Sequence, residues 1–220
     1  MSLIFGDQPS EDEMNQNEAI KDNNNTVDDN NAANFEWEYA MRRQMQQIVP
    51  NLWLGPYAAA LKTKEEELCR VGITHIVCVR QDIESHWIRP NFPSKYKYLC
   101  LDIADTPTQQ IIPHFPVVSR FIDECFQERG AVLIHGNAGI SRSAALVIAY
   151  IMEKQNLTAN QAIRVVQSKR FCIFPNEGFR QQLQEYEPIL QARGIPLASS
   201  GGVKRSFSEE DSENMDTNQI

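Results

Sequence analysis

A short run of small residues between an apolar strand and a helix start constrains this chain more than any other feature: His135 to Ser143 reads HGNAGISRS. Ala131 to Ile134 is a branched, apolar stretch that predicts a short buried strand ending at His135. Beyond the loop, Ser141 is placed to cap a helix through Ala144, Leu146, Ile148 and Tyr150 to about Met152. A strand, a small-residue loop and a helix N-terminus together form an anion site, because successive backbone N–H groups converge and the helix dipole adds positive charge. Gly136, Asn137, Ala138, Gly139, Ile140 and Ser141 would supply that cradle. Arg142 would supply a planar fork that matches two phosphate oxygens at once.

A nucleotide-binding loop would read G-x-x-x-x-G-K-[ST]. Here Gly139 follows Gly136 too closely, and Arg142 stands where no lysine does, which excludes that reading. A plain tight turn would need no arginine at that place.

His135, Gly139, Arg142 and Ser143 match the pattern H-C-x-x-G-x-x-R-[ST] of cysteine-dependent protein phosphatases, specifically the dual-specificity group, with Gly136 in place of the cysteine. Arg170, Pro175, Asn176, Phe179, Gln182 and Leu183 resemble the segment that follows the loop in that group, and Tyr98 to Asp105 resembles the segment carrying its general acid. Within the group the resemblance is nearest to its glycine-bearing pseudophosphatases. It spans roughly Phe35 to Arg193, on three separate motifs. It implies an α/β fold with a central sheet flanked by helices, no cofactor and no metal. It also implies a vestigial general acid at Asp105, a loop-shaping role for His135, and a loop hydroxyl at Ser143 that assists release of the thiolate in active members.

Glycine has no side chain to attack phosphorus. Losing the nucleophile of a concerted catalytic set reduces rate by on the order of 10⁶, or ~8 kcal/mol of transition-state stabilisation. Cys69, Cys78, Cys100, Cys125 and Cys172 lie in or beside apolar runs, where a thiol acts as a small buried hydrophobe. Ser141 and Ser143 lie on the loop, but a serine without a neighbouring base is a poor nucleophile. The expectation is therefore a pseudophosphatase that binds phosphorylated proteins or signalling regulators as competitor, shield or anchor. The alternative is an active phosphatase with another nucleophile, or a chain in which a cysteine at 136 has been replaced. Asp105 also has two readings, a retained general acid or the start of a turn at Thr106-Pro107.

The formal charge of −8 is unevenly placed. Residues 1–34 carry a net −7 and the residues from Ala198 onward −3; both segments are expected to be disordered tails. The remaining domain, 35–197, has 18 basic and 16 acidic residues, which suits phosphorylated partners and lacks the basic stripe of a nucleic-acid groove. Candidate strands are 47–49, 52–54, 74–79, 97–101 and 131–135. Candidate helices run from a Thr63 cap to about Arg70, over 111–127, and then near 142–154, 158–168 and 176–192. Five cysteines without a C-x-x-C pair point to a reducing compartment, cytoplasm or nucleus, and no apolar run is long enough to span a membrane. By resemblance, the partner classes are MAP kinases and an F-box ubiquitin-ligase subunit. Arg42-Arg43, followed by Met45, Ile48 and Val49, reads either as an amphipathic entry helix with solvated arginines or as a kinase-docking peptide, and Ser206 and Ser208 precede acidic residues, a setting that acidophilic kinases favour.

Overall fold

The computed structural model describes residues 38–197. The tails, with Ser206 and Ser208, lie outside the described residues. Short apolar runs, continuous in the inner strands, produce five strands, β1 (Gln46–Val49), β2 (Leu52–Pro56), β3 (Ile73–Arg80), β4 (Lys97–Asp102) and β5 (Ala131–Gly136), in one sheet of order β1-β2-β5-β3-β4. β1 runs antiparallel to β2; the β2/β5, β5/β3 and β3/β4 pairs are parallel.

β5 is the middle strand and is buried along its whole length. Its side chains divide by parity, as a pleated strand requires. Val132 and Ile134 enter one apolar cluster, and Ala131 and Leu133 enter another on the opposite face. Four helices supply the first cluster: α2 (Phe115–Gln127), α3 (Arg142–Gln155), α4 (Ala159–Lys169) and α5 (Glu177–Ala192). The second face is covered by α1 (Glu65–Arg70) through Leu68, and by Phe92 and Tyr96. The architecture is the expected sheet flanked by helices.

Local chemistry explains where the helices begin. Thr158 caps α4 in a reciprocal box with Gln161, and Asn176 accepts the Phe179 N–H at the start of α5. Three expectations are corrected. Thr63 caps nothing: it lies inside a 3-10 turn, Lys62–Lys64, and α1 starts after it with Glu65, Glu66 and Glu67 complementing the dipole. The helix expected from Ile111 starts as a 3-10 turn at Ile112 and becomes α-helical only at Phe115, because Pro113 and Pro116 lack N–H donors for the regular ladder. Cys69 and Cys100 are exposed, so the buried-hydrophobe reading holds for Cys78 and Cys125 but not for them. α1 turns Cys69 outward, and β4 is an edge strand.

Two of these elements carry the site. The β5–α3 junction is the small-residue loop, and the segment after β4 brings Asp105 over it. That segment is held by α5. The Gln182 side chain accepts the Ile111 N–H at 2.7 Å and donates to the Gln109 carbonyl at 2.8 Å. Gly178, in the first turn of α5, sits against the Pro107 carbonyl so closely that any β-carbon would collide with backbone. Gly178→Ala is therefore expected to destabilise the domain by about 2 kcal/mol through overpacking. Urea denaturation checks this, and an unchanged midpoint would contradict the close approach.

Candidate functional site

The loop from Gly136 to Arg142 is turned inside out by its carbonyls. The Asn137 carbonyl accepts the Tyr57 N–H at 3.1 Å, that of Ile140 accepts the Phe174 N–H at 2.8 Å, and that of Ser141 accepts the Ala145 N–H at 2.9 Å. The remaining two are taken by Arg170, whose Nη2 donates to the Ala138 carbonyl at 3.0 Å and whose Nε donates to the Gly139 carbonyl at 2.9 Å. Each carbonyl from 137 to 141 is thus satisfied on the outside. Among the described residues, the N–H groups of Asn137–Ser141 donate to no protein acceptor. The turn this needs is available because Gly139 adopts φ +68° and passes so near the Gly55 carbonyl that a side chain would clash.

Arg170 is fully buried, and it reaches further than the loop. It also donates to the Gln44 carbonyl at 2.8 Å, the Arg42 carbonyl at 3.0 Å and the Gln46 amide oxygen. A single guanidinium therefore pins the loop to the chain entering β1. The motif marks this arginine in the sequence, yet nothing there assigns it the bracing role.

Arg142 lines the cavity of about 240 Å³ that the loop encloses together with Asp105. Its fork is already half engaged. Glu84, in a 3-10 turn after β3, accepts from Nη1 at 2.6 Å and from Nη2 at 3.1 Å, and the Ile103 carbonyl accepts from Nη1 at 3.1 Å. A guanidinium has five N–H donors. Those three bonds leave the Nε–H and one Nη2–H, and Asp105 Oδ2 stands 3.7 Å from Nε. Burial alone would push the Glu84 carboxyl up, but hydrogen bonds from Arg142 and from the Gln81 N–H outweigh it and hold the group below its usual range. Glu84 is a site residue that the sequence reading missed. The Gln81-x-x-Glu84 capping spacing was visible, but the pairing with Arg142 spans 58 positions.

Asp105 faces the loop. Its Oδ1 accepts the Ser141 hydroxyl at 2.6 Å and the Asn176 side-chain amide at 2.9 Å, while the turn after it is closed by the Thr106 carbonyl instead. Asp105 therefore lines the cavity, and its side chain does not close the turn that follows it. The same contact corrects two expectations about Ser141. The hydroxyl does not cap α3, because it is spent on Asp105 and on accepting the Asn176 N–H at 3.2 Å. Nor does Ser141 lack a neighbouring carboxylate, since tertiary structure brings one from 36 residues upstream.

At Gly136 a β-carbon meets no backbone clash and would need only a small shift of a neighbouring side chain. An ideal β-carbon would lie 3.3 Å from Ser143 Oγ and 3.6 Å from the Val79 carbonyl, and the first contact is with a rotatable group. Ser143 Oγ is itself buried without a hydrogen-bond partner among the described residues. A buried hydroxyl thus stands beside the place where a β-carbon at 136 would be. No cysteine lines the cavity. His135 is buried beside the Tyr57 ring, centroids 5.7 Å apart, and hydrogen-bonds to neither loop serine. Burial lowers its pKa to about 4, the weak Gly136 carbonyl contact opposing only slightly, so the ring is neutral near pH 7. Among the described residues no group of three or more His, Cys, Asp or Glu is placed to hold a metal, and no helix is long and apolar enough to cross a membrane.

A carbonyl-out loop at a helix start, an arginine braced by a glutamate and an aspartate on the facing segment are arranged around one cavity. The chain belongs to the dual-specificity phosphatase family: the family model described as dual specificity phosphatase, catalytic domain, matches residues 52–189. It is similar to the serine/threonine/tyrosine-interacting protein of Homo sapiens, with 50% identity over 191 residues that cover 80% of this chain and 86% of that protein. Dual specificity protein phosphatase 22 of Mus musculus is 41% identical over 143 residues, 65% of this chain and 73% of that one. The crystal structure of the human tyrosine phosphatase-like serine/threonine/tyrosine-interacting protein matches with a TM-score of 0.67 and 56% identity, covering 68% of this chain and 99% of that one. A mouse putative dual specificity phosphatase, solved in complex with zinc tungstate, matches with a TM-score of 0.62 and 29% identity over 73% and 97% of the two chains.

Two outcomes follow from this geometry. Arg170→Met is expected to destabilise the domain by about 3 to 5 kcal/mol, because five acceptors in the loop and the β1 entry lose the donor they share; a loss under about 1 kcal/mol in urea denaturation would contradict the bracing role. His135 makes stability depend on pH with a definite sign. Its folded pKa of about 4 lies below its ordinary value of 6.5, so protons favour the unfolded chain. The contribution is neutral above about pH 6.5, weakens the fold as pH falls toward 4, and amounts to about 3 kcal/mol at the bottom of that window. Denaturation series from pH 7 to 4 should be flatter for His135→Asn by about that amount. His75 and His114, also lowered by burial, act in both proteins and cancel.

Proposed function

We propose that this domain is a pseudophosphatase: it recognises phosphorylated side chains of proteins and does not hydrolyse them, serving as competitor, shield or anchor for phosphoproteins or signalling regulators. The observation that carries this reading is the glycine at 136 inside an otherwise complete cradle, with the amides turned inward, Arg142 braced and Ser143 Oγ left unpartnered. Without a nucleophile no covalent phosphoryl intermediate forms, whereas the groups that hold a phosphoryl oxygen do not depend on that side chain. Its absence also removes a repulsion. Two like unit charges about 4 Å apart at an effective dielectric of about 20 repel by about 4 kcal/mol, which a thiolate beneath a phosphate would experience.

Tungstate is a tetrahedral oxyanion, and its presence in the mouse relative supports an oxyanion as ligand for this cradle. The human relative's description as tyrosine phosphatase-like and as an interacting protein supports binding over turnover. From the family resemblance of the sequence we further propose MAP kinases and F-box ubiquitin-ligase subunits as partner classes, and from its unpaired cysteines cytoplasm and nucleus as the site of action.

One observation favours a second reading, an active phosphatase using Ser141, since its hydroxyl donates to Asp105 at 2.6 Å. A carboxylate is a weak base toward a serine hydroxyl, and Ser141 Oγ is also held by the Asn176 N–H. Neither feature favours attack.

Aryl phosphate hydrolysis measured for the protein, for Gly136→Cys and for Ser141→Ala separates these readings, with phosphopeptide titration in parallel. We expect no turnover by the unaltered chain, turnover by Gly136→Cys, and phosphate-dependent binding that Arg142→Lys weakens about tenfold by removing the fork. Turnover by the unaltered chain that Ser141→Ala abolishes would establish the second reading. Absence of both turnover by Gly136→Cys and phosphopeptide binding would overturn phosphate recognition.

A further inference from the structure

Outside the cradle, two thiols that the proposed function does not use are set against each other by sheet register. β3 and β4 are parallel and in register, and the rung Cys78↔Cys100 lies between Ile76↔Tyr98 and Arg80↔Asp102. Paired residues of neighbouring strands project from the same face. The next rung shows that side chains in this column meet, because Arg80 Nε contacts Asp102 Oδ1 at 3.4 Å. Adjacent strands are about 4.8 Å apart, inside the Cα separation of about 4.4 to 6.8 Å that a disulfide accepts.

The two partners differ in access. Cys78 is completely buried, whereas Cys100 is exposed on the edge strand. Both are free thiols. The Cys78 thiol, as hydrogen-bond donor, and then the Arg80 charge outweigh burial and Asp102 and bring the Cys100 pKa down to about 7, while Cys78 is held protonated. An exposed thiolate beside a buried thiol is the arrangement of an attacking and a resolving cysteine.

We propose that Cys100 and Cys78 form a peroxide-sensitive dithiol, in which Cys100 is the site of oxidation and Cys78 resolves it to a cross-strand disulfide. The oxidant is a hydroperoxide such as hydrogen peroxide. The Cys100 thiolate attacks one peroxide oxygen, the O–O bond breaks, and the departing hydroxide takes a proton to become water. The resulting sulfenic sulfur is attacked by the Cys78 sulfur. An S–S bond forms, the S–O bond breaks, and a second water leaves with the Cys78 proton. Two electrons pass from the two sulfurs to the peroxide. The rung continues from Cys78 to His135, the residue that opens the anion loop, so the new bond would lie one strand away from that loop. This inference stands independently of the proposed phosphate recognition.

The test uses the reduced protein, treated at pH 7 with a small excess of hydrogen peroxide, quenched in denaturant with an alkylating agent and digested with trypsin. The free-thiol count should fall from five to three, with the peptides 71–80 and 98–120 recovered as one disulfide-linked species. The Cys100→Ser protein, altered only at an exposed position, should keep all four of its thiols under the same treatment. Preferential oxidation of Cys69 or Cys172, loss of the Cys100 thiol without linkage to Cys78, or retention of all five thiols would overturn the proposal.

Discussion

The carbonyls of a five-residue stretch, Asn137 to Ser141, have to leave the concave side of their loop before that loop can bind anything, and the structure supplies a donor for each of them. This is the constraint on which the site rests. A peptide unit that turns its oxygen outward turns its N–H inward, so satisfying the carbonyls fixes the direction of the donors. Arg170 takes two of the five and simultaneously ties down the chain leading into β1. Loop shape, strand entry and the start of α3 are therefore one mechanical unit, and Gly139 makes the tight turn possible within it.

Charge inside the cradle is balanced by carboxylates from two other elements. Glu84 grips one edge of the Arg142 fork and orients it, at the expense of part of its positive field; Asp105 waits at the other edge. A buried ion pair of this kind is weak evidence for stability, but it fixes geometry, because either partner alone would be an uncompensated buried charge. The open Nε and Nη2 edge, the loop amides and the dipole of α3 are the groups that would meet the anion proposed as ligand. Under the proposed reading, Gly136 beside the unpartnered Ser143 hydroxyl is what would separate holding a phosphoryl group from transferring it.

Much of the fold was legible because local physics determines it. The strand positions of Thr74–Val79 and Ala131–His135 follow from short apolar runs, and the observed β3 and β5 extend them by a residue or two. Thr158 with Gln161 and Asn176 with Phe179 are capping interactions within four residues, readable from spacing. Where the reading failed, a competing local or distant partner won. Thr63 was absorbed into a 3-10 turn, paired prolines delayed α2, and Ser141 exchanged its capping bond for Asp105. The exposure of Cys100 follows from β4 being at the sheet edge, and strand order is not written in any one strand.

What the sequence alone determined is the kind of residue available at each point of the loop: small residues that let backbone approach a ligand, a guanidinium, and no nucleophile at 136. Those are properties of side chains, and they hold wherever the chain goes. Only the tertiary structure decided which groups answer them. Glu84 reaches Arg142 across 58 positions, Asp105 reaches Ser141 across 36, and Arg170 reaches Gly139 across 31. Each is a long-range pairing selected by the sheet order and by the need to satisfy buried polar groups, which no local pattern records.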